Sequence, residues 1–534
     1  MQKNTVMFVI FSSVFLFIWY MFFQSKQIDQ KKVLQAQQNV VQIKNKEKPS
    51  QNILDKQDIF SKEQKLNIQN TKEEEITLET EKYKVIFSNK GASIKHWYIK
   101  ENNNDLVDLV LPEASPVLAN FPGSVYEIVE KTDTKLVFSH TSMQNWKITK
   151  SFDLSKDYLH TINIHLEKLT QDAKLPEIEF NWGPGIGTDK KELKENISVT
   201  RVMGLTSTMP NKLEKIKEEK NPAQLYKWVA IDNRYFLTAL IPNNSLDFEN
   251  IGIVRQNKKI APILIMSAKV KQEENIQNFS LKFYVGPKSY SYLKKFNIGL
   301  EKIVDFGFFG FLGKIALAVL FMLYDCVGNY GLAIIIMTII IQILVLPLTL
   351  KSFRAMASMK KIQPLMKEIQ TKYKNDPRRL QVEMMNLYKA KKVNPFGGCL
   401  PMLLQLPIFW ALFQTLRNAY ELRYSPWILW IKDLSACDSL FYIGSIPFNM
   451  LPLIMGLIMF FQQKLTTANS DPTQRKMMYI MPIIFTLMFW GFPSGLVLYW
   501  LTNSIFSIFI QFFVLRRSYE KDFSEAGAKN GKKA

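Results

Sequence analysis

The sequence is poor in the residues that build metal centres and disulfide frameworks. It contains only three cysteines and four histidines among 534 residues. The cysteines, at 326, 399 and 437, do not form the C-x-x-C spacing of zinc and redox sites. Acidic residues are also few, since 47 Asp and Glu are opposed by 68 Lys and Arg, which gives a formal net charge of +21. We therefore expect neither a metal nor a cofactor.

Long apolar runs are abundant instead. One lies at residues 7–23, and five more lie at 331–350, 398–418, 447–463, 477–493 and 495–515. Each has about 17–21 residues, enough for a helix to cross roughly 30 Å of hydrocarbon. The first run ends in large aromatic residues, whereas a signal-peptide cleavage site follows small ones. The sequence therefore predicts a multi-pass membrane protein with six spans, the first an uncleaved anchor at residues 1–24.

The distribution of Lys and Arg predicts the orientation of these spans. Segment 351–395 and the tail at 516–534 are strongly basic, and short basic loops lie on the cytoplasmic side. Both chain termini are then cytoplasmic, and residues 25–330 are periplasmic. The apolar stretch 306–323 would break this alternation if it spanned the membrane. We interpret residues 301–330 as an amphipathic helix lying in the periplasmic interface.

The predicted periplasmic region has two parts. Residues 25–75 are rich in Gln, Lys, Asn and Glu, which indicates a disordered tether. Residues 76–300 alternate apolar and polar side chains, for example at Tyr83, Val85 and Phe87. This period of two, interrupted by Gly, Asn and Pro, predicts an antiparallel all-β sandwich.

A few polar side chains interrupt the apolar runs of the predicted core at 331–515. Thr338 and Gln342 share one helix face, Asn503 and Ser507 share another, and Gln405 lies in the run between them. An unsatisfied polar group in hydrocarbon is costly. Two interpretations follow from the spacing: hydrogen bonds between helices, or a hydrated cavity between the spans.

The basic segment 351–395 predicts a helical hairpin, because apolar residues recur every three or four positions on both sides of a break at residues 375–377. The apolar residues are either the seam between the two helices or a surface that receives apolar partners. Its basic residues suit anionic lipid, RNA or acidic protein. The candidate recruitment surface consists of Met356, Met359, Lys360, Lys361, Met366, Met384 and Met385.

Four motifs give the chain a resemblance to a known family. Residues 394–401 read NPFGGCLP with QLPIF at 405–409, and residues 492–500 read FPSGLVLYW. PLT at 347–349 and WIKDLS at 430–435 complete the set. In their order along the chain, these motifs resemble those of the YidC membrane protein insertases over residues 301–517, and the large predicted periplasmic domain is similar to the Gram-negative branch.

The resemblance implies a fold and a function. The fold is a membrane α-helical bundle, with a five-helix insertase core and a signal-anchor helix, plus a periplasmic supersandwich like that of galactose mutarotases. The family inserts and folds inner-membrane proteins through a hydrophilic groove, alone or beside the Sec translocon, and is not an enzyme family. The implied partners are nascent membrane proteins, the Sec translocon, anionic lipids, and the ribosome and targeting factors that meet the hairpin and tail.

The groove implied by the resemblance consists of Thr338, Gln342, Gln405, Trp500, Asn503 and Ser507. Many family members carry an arginine at the position of Gln342 and a tyrosine at that of Trp500, so we expect hydration to matter more here than a fixed charge. The alternatives are a solute channel or transporter with a periplasmic domain, and a membrane-tethered carbohydrate enzyme. No inverted repeat supports the transporter, and no acid–base pair is evident in the sandwich for the enzyme.

Overall fold

The computed structural model describes residues 73–101, 105–112, 114, 116–189, 193–206, 210–213, 221–255, 261–393, 400–443, 446–467 and 472–530. These residues belong to one compact unit. The predicted anchor at 1–24, nearly all of the predicted tether at 25–75 and most of the motif at 394–401 lie outside the described residues.

The first part of the described chain is built from strands that form three sheets, which we call the β-domain. The strands are β1 (Glu75–Glu79), β2 (Tyr83–Ser88), β3 (Ser93–Lys100), β4 (Leu106–Asp108), β5 (Glu127–Lys131), β6 (Lys135–Thr141), β7 (Trp146–Asp153), β8 (Leu159–Lys168), β9 (Glu179–Trp182), β10 (Arg201–Leu205), β11 (Pro210–Lys212), β12 (Asn221–Pro222), β13 (Trp228–Asp232), β14 (Phe236–Pro242), β15 (Phe248–Val254), β16 (Ile263–Ala268) and β17 (Ile276–Pro287). Two short helices accompany them, α1 (Leu193–Val199) and α2 (Tyr290–Lys294).

The largest sheet has nine strands in the order β11-β10-β13-β14-β17-β8-β7-β6-β5, and two four-stranded sheets have the orders β1-β2-β3-β4 and β12-β15-β16-β9. The strand pairings in the described residues are antiparallel, as between Leu281 of β17 and Ile162 of β8. Along β8, buried Ile162, Ile164 and Leu166 alternate with half-buried polar neighbours, because successive side chains point to opposite faces. The predicted all-β domain is confirmed.

The rest of the described chain is mainly helical. The helices are α3 (Gly310–Val327), α4 (Tyr330–Lys372), α5 (Pro377–Ala390), α6 (Leu400–Asn418), α7 (Met450–Thr467), α8 (Pro472–Phe489) and α9 (Ser494–Asn530). A β-hairpin of β18 (Ser439–Ile443) and β19 (Ile446–Asn449) precedes α7. Helices α4, α6, α7, α8 and α9 coincide with the five apolar runs, and the predicted helical membrane core is confirmed.

Two helices are longer than the apolar runs that predicted them. Helix α4 continues without interruption through Pro347 and Pro364, so the membrane run and the first arm of the hairpin form a single helix. Asp376 begins the second arm, α5, by accepting the backbone amide of Arg379 at 3.0 Å, which satisfies a donor that the first turn leaves free. Helix α9 likewise continues to Asn530, through most of the predicted tail.

Helix α3 occupies most of the segment predicted to lie in the periplasmic interface. Gly313, Leu317 and Leu320 are buried, and Gly313 lies so close to α6 that a Cβ on it would be 2.8 Å from the Thr415 hydroxyl. Within the described residues, α3, Tyr330–Ala355 of α4 and Ser494–Phe513 of α9 are long and apolar enough to cross a membrane. The interfacial position of α3 stays a prediction.

Candidate functional site

The centre of the candidate site is a pair of amides on α4 and α9. The side-chain nitrogen of Gln342 donates a hydrogen bond to Oδ1 of Asn503. Gln342 is only 4% exposed, and Thr338, one turn before it, is fully buried and donates to the carbonyl of Ile334 at 2.6 Å. The structure thus brings together three of the predicted groove residues, on the two helices that the sequence pattern selected.

A second polar pair joins α6 to α9. The side-chain nitrogen of Gln405 donates to the hydroxyl of Tyr499, and Tyr499 is fully buried. Gln405 was predicted from the sequence, whereas Tyr499 was not, because the groove position on α9 was assigned to the neighbouring Trp500. The signal that could have found Tyr499 is its hydroxyl within an apolar run, since a buried tyrosine usually finds a hydrogen-bond partner.

Trp500 lies in an aromatic cluster. Its ring centroid is 5.0 Å from that of Phe409 on α6, and 5.4 and 5.3 Å from those of Phe485 and Phe489 on α8. These spacings are those of favourable aromatic pairs. Trp500 therefore packs three helices together beside the amide pair, and its side chain is half-buried.

Ser507 uses its hydroxyl within its own helix. It donates to the backbone carbonyl of Asn503 at 2.8 Å, and Thr502 donates in the same way to Leu498. Asn503 and Ser507 are each half-buried, whereas Gln342 and Thr338 are buried. Thr338, Gln342, Asn503 and Ser507 thus provide uncharged polar side chains along the contact between α4 and α9.

The hairpin places the predicted recruitment residues in different environments. Met359, Met366 and Met384 are half-buried, whereas Met385 is 48% exposed and Lys361 is exposed. The side chains of Met356 and Lys360 lie outside the described residues. The hairpin therefore has half-buried methionines on both arms and at least one methionine that faces outwards.

Among the residues that the structure describes, no group of three or more His, Cys, Asp or Glu is arranged to hold a metal ion. Cys326 is exposed and Cys437 is half-buried.

Comparison with known proteins identifies the family. Residues 322–522 match the model of the 60Kd inner membrane protein, and residues 114–319 match that of the YidC periplasmic domain. A protein of Endomicrobium trichonymphae named membrane protein insertase YidC is 53% identical over 522 residues, which are 97% of this chain and 98% of that protein. One of Syntrophus aciditrophicus (strain SB) with the same name is 36% identical over 84% of this chain and 86% of its own.

A solved structure described as an active YidC insertase, with its first transmembrane domain resolved, covers 83% of this chain and 93% of its own chain, at 21% identity and a TM-score of 0.39. The sequence relatives are far more similar, and two of them align over more than four fifths of both chains. The chain belongs to the YidC family of inner-membrane proteins.

Proposed function

We propose that the protein inserts and helps to fold integral membrane proteins, by receiving their polar segments in a groove between α4, α6 and α9. The observation that carries the proposal is the Gln342–Asn503 pair, an amide contact between two largely apolar helices in which Gln342 is buried. The names of the relatives support the same activity. The groove residues are Thr338, Gln342, Gln405, Trp500, Asn503 and Ser507.

The amide pair suits a site that opens and closes. Hydrogen bonds between side chains of membrane helices contribute only about 0.6 kcal/mol on average. Water or the polar groups of a client segment can therefore replace one partner at little cost. A groove hydrated from the cytoplasmic side shortens the stretch of hydrocarbon that a polar segment must cross, and so lowers the barrier to its transfer.

The hairpin is the proposed recruiting element. Helix α4 connects it directly to the groove, since Gln342 and the first hairpin arm belong to the same helix. A partly exposed methionine such as Met385 suits apolar segments of varied shape. The basic residues of the hairpin, with those of the tail at 516–534, suit anionic lipid headgroups, the ribosome and targeting factors.

The proposed setting is the bacterial inner membrane, with six spans, both termini in the cytoplasm and residues 25–330 in the periplasm. The groove is open to the cytoplasm and to lipid, and clients leave it sideways into the bilayer. The protein acts alone or beside the Sec translocon, and no covalent step is required.

Reconstitution tests this function. The purified protein is placed in liposomes that contain a trapped dye, and a small single-span client is translated in their presence. We expect the translocated tail of the client to become protected from protease without release of the dye. Dye release without protection would instead support a channel. If neither protection nor dye release occurs, with or without the Sec translocon, the insertase function would be rejected.

A further inference from the structure

The β-domain contacts the helical core through the segment between α6 and β18, residues 419–438, which we call the connecting loop. Arg423 of this loop is buried in the β-domain, with 3% of its side chain exposed. Its Nε lies 2.9 Å from Oε1 of Glu101, and its Nη2 lies 2.6 Å from Oδ2 of Asp189. The guanidinium also lies over the rings of Tyr235 and Phe236, at 4.8 and 5.1 Å from their centroids. One core side chain therefore joins two separate parts of the β-domain.

A second arginine makes the reciprocal contact. Arg234 of the β-domain donates from Nε to the carbonyl of Arg417 at 3.1 Å, and from Nη2 to the carbonyl of Ser435 at 3.4 Å. Arg417 lies in the last turn of α6, and Ser435 lies near the end of the connecting loop. A single β-domain side chain therefore holds the two ends of the loop together.

The connecting loop also contacts the first turns of both helices that carry the amide pair. On α9, the backbone nitrogen of Ser494 donates to the carbonyl of Ala436 at 2.7 Å, and its hydroxyl donates to that of Asp433 at 2.8 Å. On α4, a Cβ built on Gly331 would lie 2.1 Å from Cδ1 of Trp427. The indole of Trp427 thus lies against the α4 backbone at a place where only glycine leaves room.

We propose that Arg423 and Arg234 are positioning residues: through the connecting loop, they make the β-domain set the placement of α4 relative to α9. Two features of arginine support this role, because its rigid planar fork fixes a geometry and it tolerates burial in ion pairs. The amide pair lies about 14–17 Å along the helices from Ser494 and Gly331, at 1.5 Å per residue. A small change of angle at the loop therefore displaces Gln342 relative to Asn503.

The expected effect on the insertion rate rests on the proposed function. The dependence of the α4–α9 placement on the β-domain does not, and the experiment measures the two separately. Spin labels replace Ile343 on α4 and Ile505 on α9, which are 53% and 50% exposed and lie outside the proposed groove set. The three native cysteines are first changed to serine. Pulsed electron paramagnetic resonance then measures the distance distribution between the labels in the full chain, and the liposome assay measures insertion in parallel.

The test variants are Arg423→Met and Arg234→Met, and Lys432→Met, an exposed lysine in the same loop, is the matched control. We expect the two arginine variants to broaden the distance distribution and to slow insertion by about threefold or more, within the range of couplings through packed networks. We expect Lys432→Met to leave both unchanged. A narrow, unchanged distribution in folded Arg423→Met and Arg234→Met would overturn the proposal.

A third variant separates positioning from the burial of unpaired charge. Arg423→Met alone leaves Glu101 and Asp189 uncompensated, which destabilises the chain whatever the arginine does. The combination Arg423→Met, Glu101→Gln and Asp189→Asn removes all three charges. We expect it to fold and to keep the broad distribution, whereas return of the wild-type distribution would overturn the positioning role. If the wild-type protein does not insert the client, the proposed function is rejected. The distances between the spin labels still show whether the β-domain sets the placement of α4 relative to α9.

Discussion

Gln342 on α4 donates a hydrogen bond from its side-chain amide to Oδ1 of Asn503 on α9. The two residues are 161 positions apart in the sequence, and both belong to helices that are apolar over most of their membrane-length segments. In hydrocarbon an amide lacks water as a partner, and this bond satisfies one donor of Gln342 and one acceptor site of Asn503. We expect the pair to keep the proposed groove closed until water or a client replaces one side.

The first prediction concerns the polar character of Gln342. Gln342→Leu removes one amide and leaves the other without its partner, whereas Gln342→Arg keeps donors that attract water. We expect Gln342→Leu to slow insertion by about fivefold or more, the equivalent of roughly 1 kcal/mol for one unpaired amide. Gln342→Arg should insert faster than Gln342→Leu. The rate at which a client tail becomes protease-protected in liposomes measures both.

The double variant Gln342→Leu with Asn503→Leu is the control for stability. It contains no unpaired amide, so its thermal unfolding in detergent should return towards that of the wild type. Its insertion should nevertheless stay slow, because the groove has lost both amides. Insertion at the wild-type rate by the double variant would contradict a functional role for the pair.

The second prediction separates the seam of the hairpin from its outer surface. Met384 is half-buried, and its neighbour Met385 is 48% exposed. Met384→Asp buries a charge in the seam and should make α5 sensitive to protease, by a mechanism unrelated to clients. Met385→Asp should leave the hairpin resistant to protease yet reduce the crosslinking of a nascent client to the hairpin. Equal crosslinking in Met385→Asp and wild type would argue that the methionines serve only the seam.

The sequence predicted the elements of this fold well, because its patterns are local. The apolar runs at 331–350 and 495–515 needed only length and composition, and the alternation in β8 needed only the period of a strand. The break at residues 375–377 separated the two arms of the hairpin, and the structure begins α5 there with Asp376 and Pro377. The continuity of α4 was not predicted, since a basic stretch after an apolar run gives no sign that the helix continues.

Contacts between residues that are far apart in the chain were not predicted from the sequence. Gln405 was selected as a polar residue in an apolar run, but its partner Tyr499 is 94 positions away. Arg423 and Glu101 are 322 positions apart, and nothing in the spacing of either indicates that they meet. Helical periodicity can assign a residue to a face, but it cannot say which face of another element covers it.

The third prediction concerns acid sensitivity of the β-domain. His160 is buried against the rings of Trp97 and Phe283, with centroids 4.9 and 5.2 Å away. Burial lowers the pKa of His160 from 6.5 to about 3. The unfolded chain therefore binds a proton below pH 6.5 that the folded chain does not. Stability should be highest above pH 6.5 and fall by about 1.4 kcal/mol for each pH unit between that value and the folded pKa.

Chemical unfolding of the full chain in detergent, followed by tryptophan fluorescence between pH 7 and pH 4, measures this slope. His160→Phe keeps an aromatic ring in the cluster and should flatten the pH dependence. His165→Gln is the matched control on the same strand, since the half-buried His165 forms a hydrogen bond with Asn278 at 2.7 Å. The same slope in His160→Phe and wild type would mean that other groups cause the acid sensitivity.

The fourth prediction concerns the contact between α7 and α8. A Cβ on Gly456 would lie 2.0 Å from the hydroxyl oxygen of Thr486 and 3.3 Å from its Cβ, so the two helices approach closely only because Gly456 has no side chain. Gly456→Ala should lower the free energy of unfolding by about 1–3 kcal/mol, as overpacking does. Thermal unfolding in detergent, followed by helical circular dichroism, measures the loss.

Two further variants decide whether the close approach is the cause. Thr486→Ala removes the hydroxyl, so combining it with Gly456→Ala should recover part of the loss, because the largest overlap is with that oxygen. Gly123→Ala is the control, since a Cβ on Gly123 would meet no atom within 4 Å, and its effect should stay within about 0.5 kcal/mol. If Gly456→Ala and Gly123→Ala unfold at the same temperature, α7 and α8 have room for a methyl group, and glycine is not what allows their contact.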